Sequence, residues 1–389
     1  MKEKISISNF YCFIYFIWGL YAQFVNTTNI SFLQNNKFID YFVNIIAIVF
    51  LLIMFLTEFE NHNFQINIKK VILAFIFFIL ILCVSFRLYG LFFFTGCLFV
   101  LLSSYVETNK ILKSFIYFSA TTLIITIVFN KLGLVDSVIS VGDRVRTSLG
   151  FSYMAEPSEI LFYVTCSYLV YKKQDITYIE IMGLELLNVL LYSATQTRTP
   201  FFMATLALIG TLILKLVNFK VSILNNKLIK FVIVNIYWIC LALFFVLLNT
   251  YPDNVFWNLN KLLSGRLYLS LLGLQRWGIS LWGTNTKFVT DNVANVAGGQ
   301  YNYIDSSYLQ SLIIYGLIFT IIVLVMFSVL TYVAIRRKDV IFILILICVA
   351  IHSMFDPILL VQWYSPFFII AGKCFNLFSK DRLYYLARG

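Results

Sequence analysis

The chain has 389 residues, of which 61% are hydrophobic, 18% aromatic and only 12% charged, with a formal net charge of +11. So little polar surface cannot cover a soluble globule of this length, and the composition is that of an integral membrane protein. The basic residues fall in short clusters between apolar runs, the pattern of topology signals, which sets nucleic acid aside as a partner, and the 7 cysteines never pair as Cys-x-x-Cys, so neither a disulfide framework nor a metal site is expected.

Backbone in hydrocarbon must satisfy its own hydrogen bonds, so apolar runs of about 20 residues are predicted as helices, with no strand-like alternation to suggest a barrel. In chain order the predicted spans are approximately 9–26, 38–57, 70–86, 88–106, 111–130, 155–171, 176–194, 200–217, 228–249, 307–333, 339–355 and 358–378. That is an all-α, polytopic integral membrane protein with about 12 transmembrane helices in one membrane domain over residues 1–389. The first span follows a basic start without a small-residue cleavage site and reads as retained. The third and fourth are separated only by "RLYG" at 87–90, a tight hairpin.

With the N-terminus in the cytoplasm, 19 of the 29 basic residues fall inside, and every inner loop carries at least two. The cation type differs between the faces. Inside, 15 of the 19 are Lys; outside, Arg87, Arg144, Arg146, Arg198, Arg266 and Arg276 make up 6 of the 10. Lysine suffices for orientation, whereas arginine offers a planar fork that holds phosphate oxygens in pairs and keeps its proton. The outer face is therefore a candidate phosphate site; the plainer alternative is loop arginines snorkelling at the interface.

Four outer segments carry most of the polar chemistry. In "GDRVRTSLGFSYMAEPSEI", residues 142–160, Arg144 and Arg146 precede a helix that starts near Pro157, and Glu156 and Glu159 either stabilise that start or face a polar cavity. In "SATQTRTP", residues 193–200, the short link pins Arg198 near the membrane surface. The long segment 250–306 has "LNKLLSGRLYLSLLGLQRWGISLWG", residues 259–283, which reads as an amphipathic surface helix anchored by Arg266 and Arg276, followed by a loop hinged at Gly298–Gly299. Asp305 opens an apolar helix as a helix cap or a functional acid, and His352, in "HSMFDP", is a usable proton acceptor or a structural residue. Glu180 and Glu185 are the main acids within a predicted span. They lack the spacing of an ion pathway, and no paired internal repeats are visible, which lowers a transporter reading.

The run Arg146 to Ser158 ("R-x-S-x-G-F…EPS"), the "TRTP" link, "LSGR" at Leu263 to Arg266 and "IDSSYLQSLIIYG", in this order and on this side of the membrane, resemble the Wzy-type polysaccharide polymerases of the O-antigen polymerase and ligase superfamily. The resemblance covers most of the chain through short motifs. It implies a GT-C-like membrane glycosyltransferase in a bacterial plasma membrane, needing no metal or cofactor. The implied reaction moves a growing glycan from undecaprenyl pyrophosphate to a second lipid-linked repeat unit at the outer leaflet. A chain-length regulator is a candidate partner. By motif, Arg146, Arg198 and Arg266 would stabilise the departing pyrophosphate, and Asp305 would serve as base or acceptor-positioning group with His352 in reserve; Arg144, Glu156, Arg276 and His352 are the further candidates for binding substrate. Some relatives carry Arg or His, ten residues, then Gly. Here Gly278 follows Arg266 one position late, whereas Asp305 leads by ten residues to Gly316. A ligase of the same superfamily and a lipid-linked oligosaccharide flippase are the competing readings.

Overall fold

Long runs of Leu, Ile and Phe leave the backbone one way to satisfy its hydrogen bonds away from water, and the chain is mostly helical. The computed structural model describes residues 7–34, 36–61, 67–141, 144–217, 225–289 and 301–375; the expected hinge at 298–299 lies outside them. Helices α1 (Ile7–Thr27), α2 (Lys37–Asn61), α3 (Ile68–Val84), α4 (Leu91–Leu102) and α5 (Thr108–Lys131) form the first half. A ribbon of β1 (Ile139–Val141) and β2 (Val145–Thr147) follows, antiparallel with Ser140 opposite Arg146, a small departure from the all-α expectation. Then come α6 (Glu156–Lys172), α7 (Tyr178–Thr195), α8 (Arg198–Leu216), and the pair α9 (Lys227–Val234) and α10 (Ile236–Leu248), bent by 70°. Two short helices, α11 (Asn254–Leu262) and α12 (Arg266–Trp277), precede a helical turn at Ser307–Gln310 that runs into a π turn at Ser311–Tyr315. The described chain closes with α13 (Leu317–Arg336), α14 (Val340–His352) and α15 (Pro366–Ala371).

Among the described residues, five helices are long and apolar enough to cross a membrane, or six if the bent pair is one span. The sequence reading expected about twelve. Several of its spans are shorter here, at Leu91–Tyr105, Val340–His352 and Pro366–Phe375. The apolar runs are there, but turns divide the helices within them into pieces shorter than the roughly 20 residues of one straight crossing. Exposed apolar side chains such as Phe38 (76% exposed) and Ile179 (82% exposed) give α2 and α7 faces suited to lipid rather than water.

Hydrogen bonds tie together the ends predicted to lie outside. Ser152 N donates to the Thr27 carbonyl at 2.8 Å, and Arg87 donates to the carbonyls of Trp282 and Ile314. The opposite ends are tied in the same way. Lys173 pairs with Asp339 at 3.0 Å, and Lys373 donates to Thr108 Oγ1 at 2.6 Å. Glu180, expected within a span, sits at the start of α7 in a capping box with Thr177 and bridges to Lys172 at 2.8 Å. It stabilises a helix end. Glu185 is within α7, where it accepts from Thr205 Oγ1 at 2.8 Å.

Residues 353–365 were expected to be largely helix, yet they run as irregular turns through the bundle. Buried irregular backbone requires internal partners. Tyr15 Oη and Gln23 Nε2 of α1 donate to the carbonyls of Gln362 (3.0 Å) and Trp363 (2.7 Å), and Ser307 Oγ donates to the Asp356 carbonyl at 2.5 Å. Gly96 on α4 lets the segment approach, because a Cβ there would overlap the Gln362 side chain.

A second close approach joins the long segment to the π turn. Leu317 N donates to the Ser280 carbonyl at 3.0 Å and Thr284 N to the Ile313 carbonyl at 2.7 Å, with Gly283 at φ +79° against the Ile314 carbonyl. Gly283→Ala should cost about 1–3 kcal/mol through overlap and a left-handed backbone. Thermal unfolding in detergent, followed with a thiol-reactive dye that reads the buried Cys97 and Cys166, should show a lower midpoint. An unchanged midpoint would contradict this packing.

Candidate functional site

At the end where 27, 153, 195 and 355 meet, two adjoining cavities of about 240 and about 260 Å³ open into the protein. They share Tyr153, Arg266, Tyr301 and Asp305. One is basic and the other is rich in carboxyls and aromatic rings.

The basic cavity is built by the β ribbon and the α7–α8 link. Side chains two apart share a face in extended chain, so Arg144 and Arg146 reach the same way. Arg146 Nε donates to the Thr195 carbonyl at 2.9 Å and its Nη2 to Thr197 Oγ1 at 3.2 Å, and Arg144 Nη1 donates to the Gln196 carbonyl at 3.1 Å. These acceptors are at the C-terminal end of α7, where carbonyls lack helix partners and the dipole favours cations. Gln196 takes a left-handed turn at φ 51°, which starts α8 at Arg198, and this exposed guanidinium joins the cavity lining.

Arg266 stands in the shared wall. The amphipathic helix expected over 259–283 is interrupted, because Ser264 (φ 57°) and Gly265 (φ 86°) break it into α11 and α12. The break turns Arg266 inward. Its Nη1 donates to the Phe355 carbonyl and, at 3.3 Å, to Thr199 Oγ1, while its Nε lies 3.4 Å from Asp305 Oδ2, with both side chains under 20% exposed. Asp305 does not cap the helix after it: Ser306 Oγ accepts from Leu309 N at 3.5 Å, which leaves the Asp305 carboxylate to Arg266.

The carboxyl cavity takes Glu156 and Glu159 from the first turn of α6 and Asp356 from the irregular segment. Both alternatives for Glu156 hold: it accepts from Tyr153 N at 2.8 Å and Ser152 Oγ at 3.0 Å, bracing the helix start, and it lines the cavity. Glu159 follows at i+3 on the same face. Burial, with the neighbouring Glu159 carboxyl adding to it, pushes the Asp356 carboxyl well above the ordinary carboxylate range. Trp363 and Tyr364 complete the deep wall.

Two predicted residues lie elsewhere. Arg276 ends α12 over the Trp277 ring, 5.3 Å from its centroid, and lines neither cavity. His352 is fully buried behind the carboxyl cavity, stacked on Phe162 at 4.3 Å, with Nε2 3.6 Å from Asp356 Oδ2. The sequence reading did not select Asp356, Trp363 or Tyr153. The signals were present: an Asp before Pro357 in an apolar tract, and the aromatic cluster "QWY" at 362–364. Among the described residues, no group of three or more His, Cys, Asp and Glu side chains has the arrangement of metal ligands.

Four carboxyls and four guanidiniums thus face two joined spaces. Such a site can hold a polyanion on one side and a hydroxyl-rich molecule on the other. Removing one partner of the shared wall exposes this dependence: Arg266→Ala should cost about 1–3 kcal/mol, since it strands a half-buried carboxylate. Arg276→Ala should stay within about 0.5 kcal/mol. Thermal unfolding of the two variants side by side checks the difference, and equal midpoints would contradict the placement of Arg266.

No family model, curated protein or solved structure matches the chain.

Proposed function

We propose that the protein is a polytopic membrane glycosyltransferase of GT-C-like architecture with about twelve membrane-crossing segments, in a bacterial plasma membrane with its site facing outward. It transfers a growing glycan from undecaprenyl pyrophosphate to another lipid-linked repeat unit. The observation that carries this reading is the pair of adjoining cavities, one lined by Arg144, Arg146 and Arg198 and the other by Glu156, Glu159 and Asp356, joined at Arg266 and Asp305.

A lipid pyrophosphate suits the basic cavity, because fixed guanidiniums donate to the charge that grows on the leaving oxygen as the sugar departs. The acceptor hydroxyl oxygen bonds to the anomeric carbon, the carbon–oxygen bond to pyrophosphate breaks with its electron pair going to the phosphate, and the hydroxyl proton passes to a carboxylate. Asp305 is paired with Arg266 at 3.4 Å. The neighbouring Glu159 and Asp356 carboxyls can share one proton and keep one basic oxygen, so they suit proton acceptance better. Asp305 then holds Arg266 and an acceptor hydroxyl in place.

A strain lacking this gene, complemented at matched membrane levels, tests the reading through surface glycan length on a gel. Arg146→Lys and Arg198→Lys should cut long chains by about tenfold or more while single repeats persist, and Arg276→Ala should preserve them. Polymer that stays on its lipid would favour a ligase, and repeats held on the cytoplasmic leaflet would favour a flippase. Unchanged glycan in the null strain would overturn the proposal.

A further inference from the structure

The carboxyl cavity bears on which sugar the site accepts. Among its lining residues are four carboxyls, Glu156, Glu159, Asp305 and Asp356, and a single cation, Arg266, which is already engaged by Asp305. Two deep polar atoms in the same wall have no hydrogen-bond partner. Asp356 Oδ1, on a side chain 1% exposed, lacks a donor, and Trp363 Nε1, on a fully buried ring, lacks an acceptor. Both atoms lie beneath the cavity surface with almost no accessible area of their own, and the Asp356 carboxyl faces that of Glu159. Tyr89, packed edge to face on the buried Trp363 ring at 5.1 Å, lines the same cavity.

Resting on the proposed glycan transfer, we infer that this cavity reads the end sugar of the acceptor by charge, taking one that carries a free ammonium most readily, one with only hydroxyls next, and disfavouring one that carries a carboxylate. A hydroxyl can donate to a cavity carboxyl or accept from a neighbouring donor without changing the charge of the space. An ammonium adds a countercharge to carboxyls that have no cation of their own, so more of them can ionise without mutual repulsion. A uronate brings a further carboxylate into the same space. It must either meet like charge or force a proton onto itself or a neighbour, and both lower its affinity. The basic cavity relieves little of this, because Arg144 and Arg146 are turned to the carbonyls of residues 195 and 196.

The test is direct binding to the purified full-length protein in lipid nanodiscs, read by saturation-transfer NMR, at a pH where the amine is protonated. The probes are methyl glucosaminide, methyl glucoside and methyl glucuronide. The glucosaminide should bind about tenfold or more tightly than the glucuronide, with the glucoside between them. Asp356→Asn and, separately, Glu156→Gln should narrow that ratio to about threefold or less, and the second variant keeps the test alive if the first unfolds. Equal or tighter binding of the glucuronide overturns the inference, and so does the absence of binding by all three. Glycan length in the complemented strain judges the transfer reaction separately, so failure of charge selection and failure of the transferase reading give different results.

Discussion

The arrangement at the site end depends on finding acceptors for one half-buried guanidinium. Arg266 cannot lose its proton, and its donors must be met wherever it is turned away from water. The Phe355 carbonyl, Thr199 and Asp305 meet them, and these come from the irregular segment, the start of α8 and the end of the long segment. Stretches far apart in sequence are thereby held around a single planar group. The same contacts set the wall that divides the basic cavity from the carboxyl cavity.

That wall would not exist if residues 353–365 were helix. A helix bonds its own carbonyls and would leave none for Arg266 or for the donors of α1. The irregular path frees the Phe355 carbonyl to accept Arg266 and carries Asp356 and Trp363 into the cavity. Its stability is supplied from outside by Tyr15, Gln23 and Ser307, each donating to one of its carbonyls. Non-helical backbone is tolerated within an apolar bundle when protein surrounds it and it borders a polar space, and both conditions hold here.

Charge is sorted across a short distance. Arg144 and Arg146 reach the C-terminal end of α7, which presents free carbonyls and a negative dipole, and Glu156 and Glu159 gather at the opposite kind of terminus, the first turn of α6. Helix direction thus places these two cations and two anions in adjacent spaces, while Arg198 and Arg266, which open α8 and α12, are set by the turns before them. For the proposed transfer, which would separate a negative leaving group from a hydroxyl proton, adjacent spaces of opposite character are the useful geometry.

Much of this was legible in the residues. Composition pointed to apolar, membrane-type helices, and Arg144, Arg146, Arg198, Arg266, Glu156 and Asp305, all selected from the sequence, line the two cavities. Those readings rest on solvation and side-chain chemistry, which are local properties. Tertiary structure alone decided the rest. Hydropathy does not reveal that a buried tract will break when other helices can satisfy its carbonyls, so 353–365 read as a span. Periodicity does not reveal left-handed backbone at Ser264 and Gly265, so 259–283 read as one helix. His352 and Arg276 were singled out by residue type, but burial against Phe162 and stacking on Trp277 keep both from lining either cavity. Asp356 has one neighbour four residues away, His352, but its approach to Glu159 joins segments that no sequence spacing brings together.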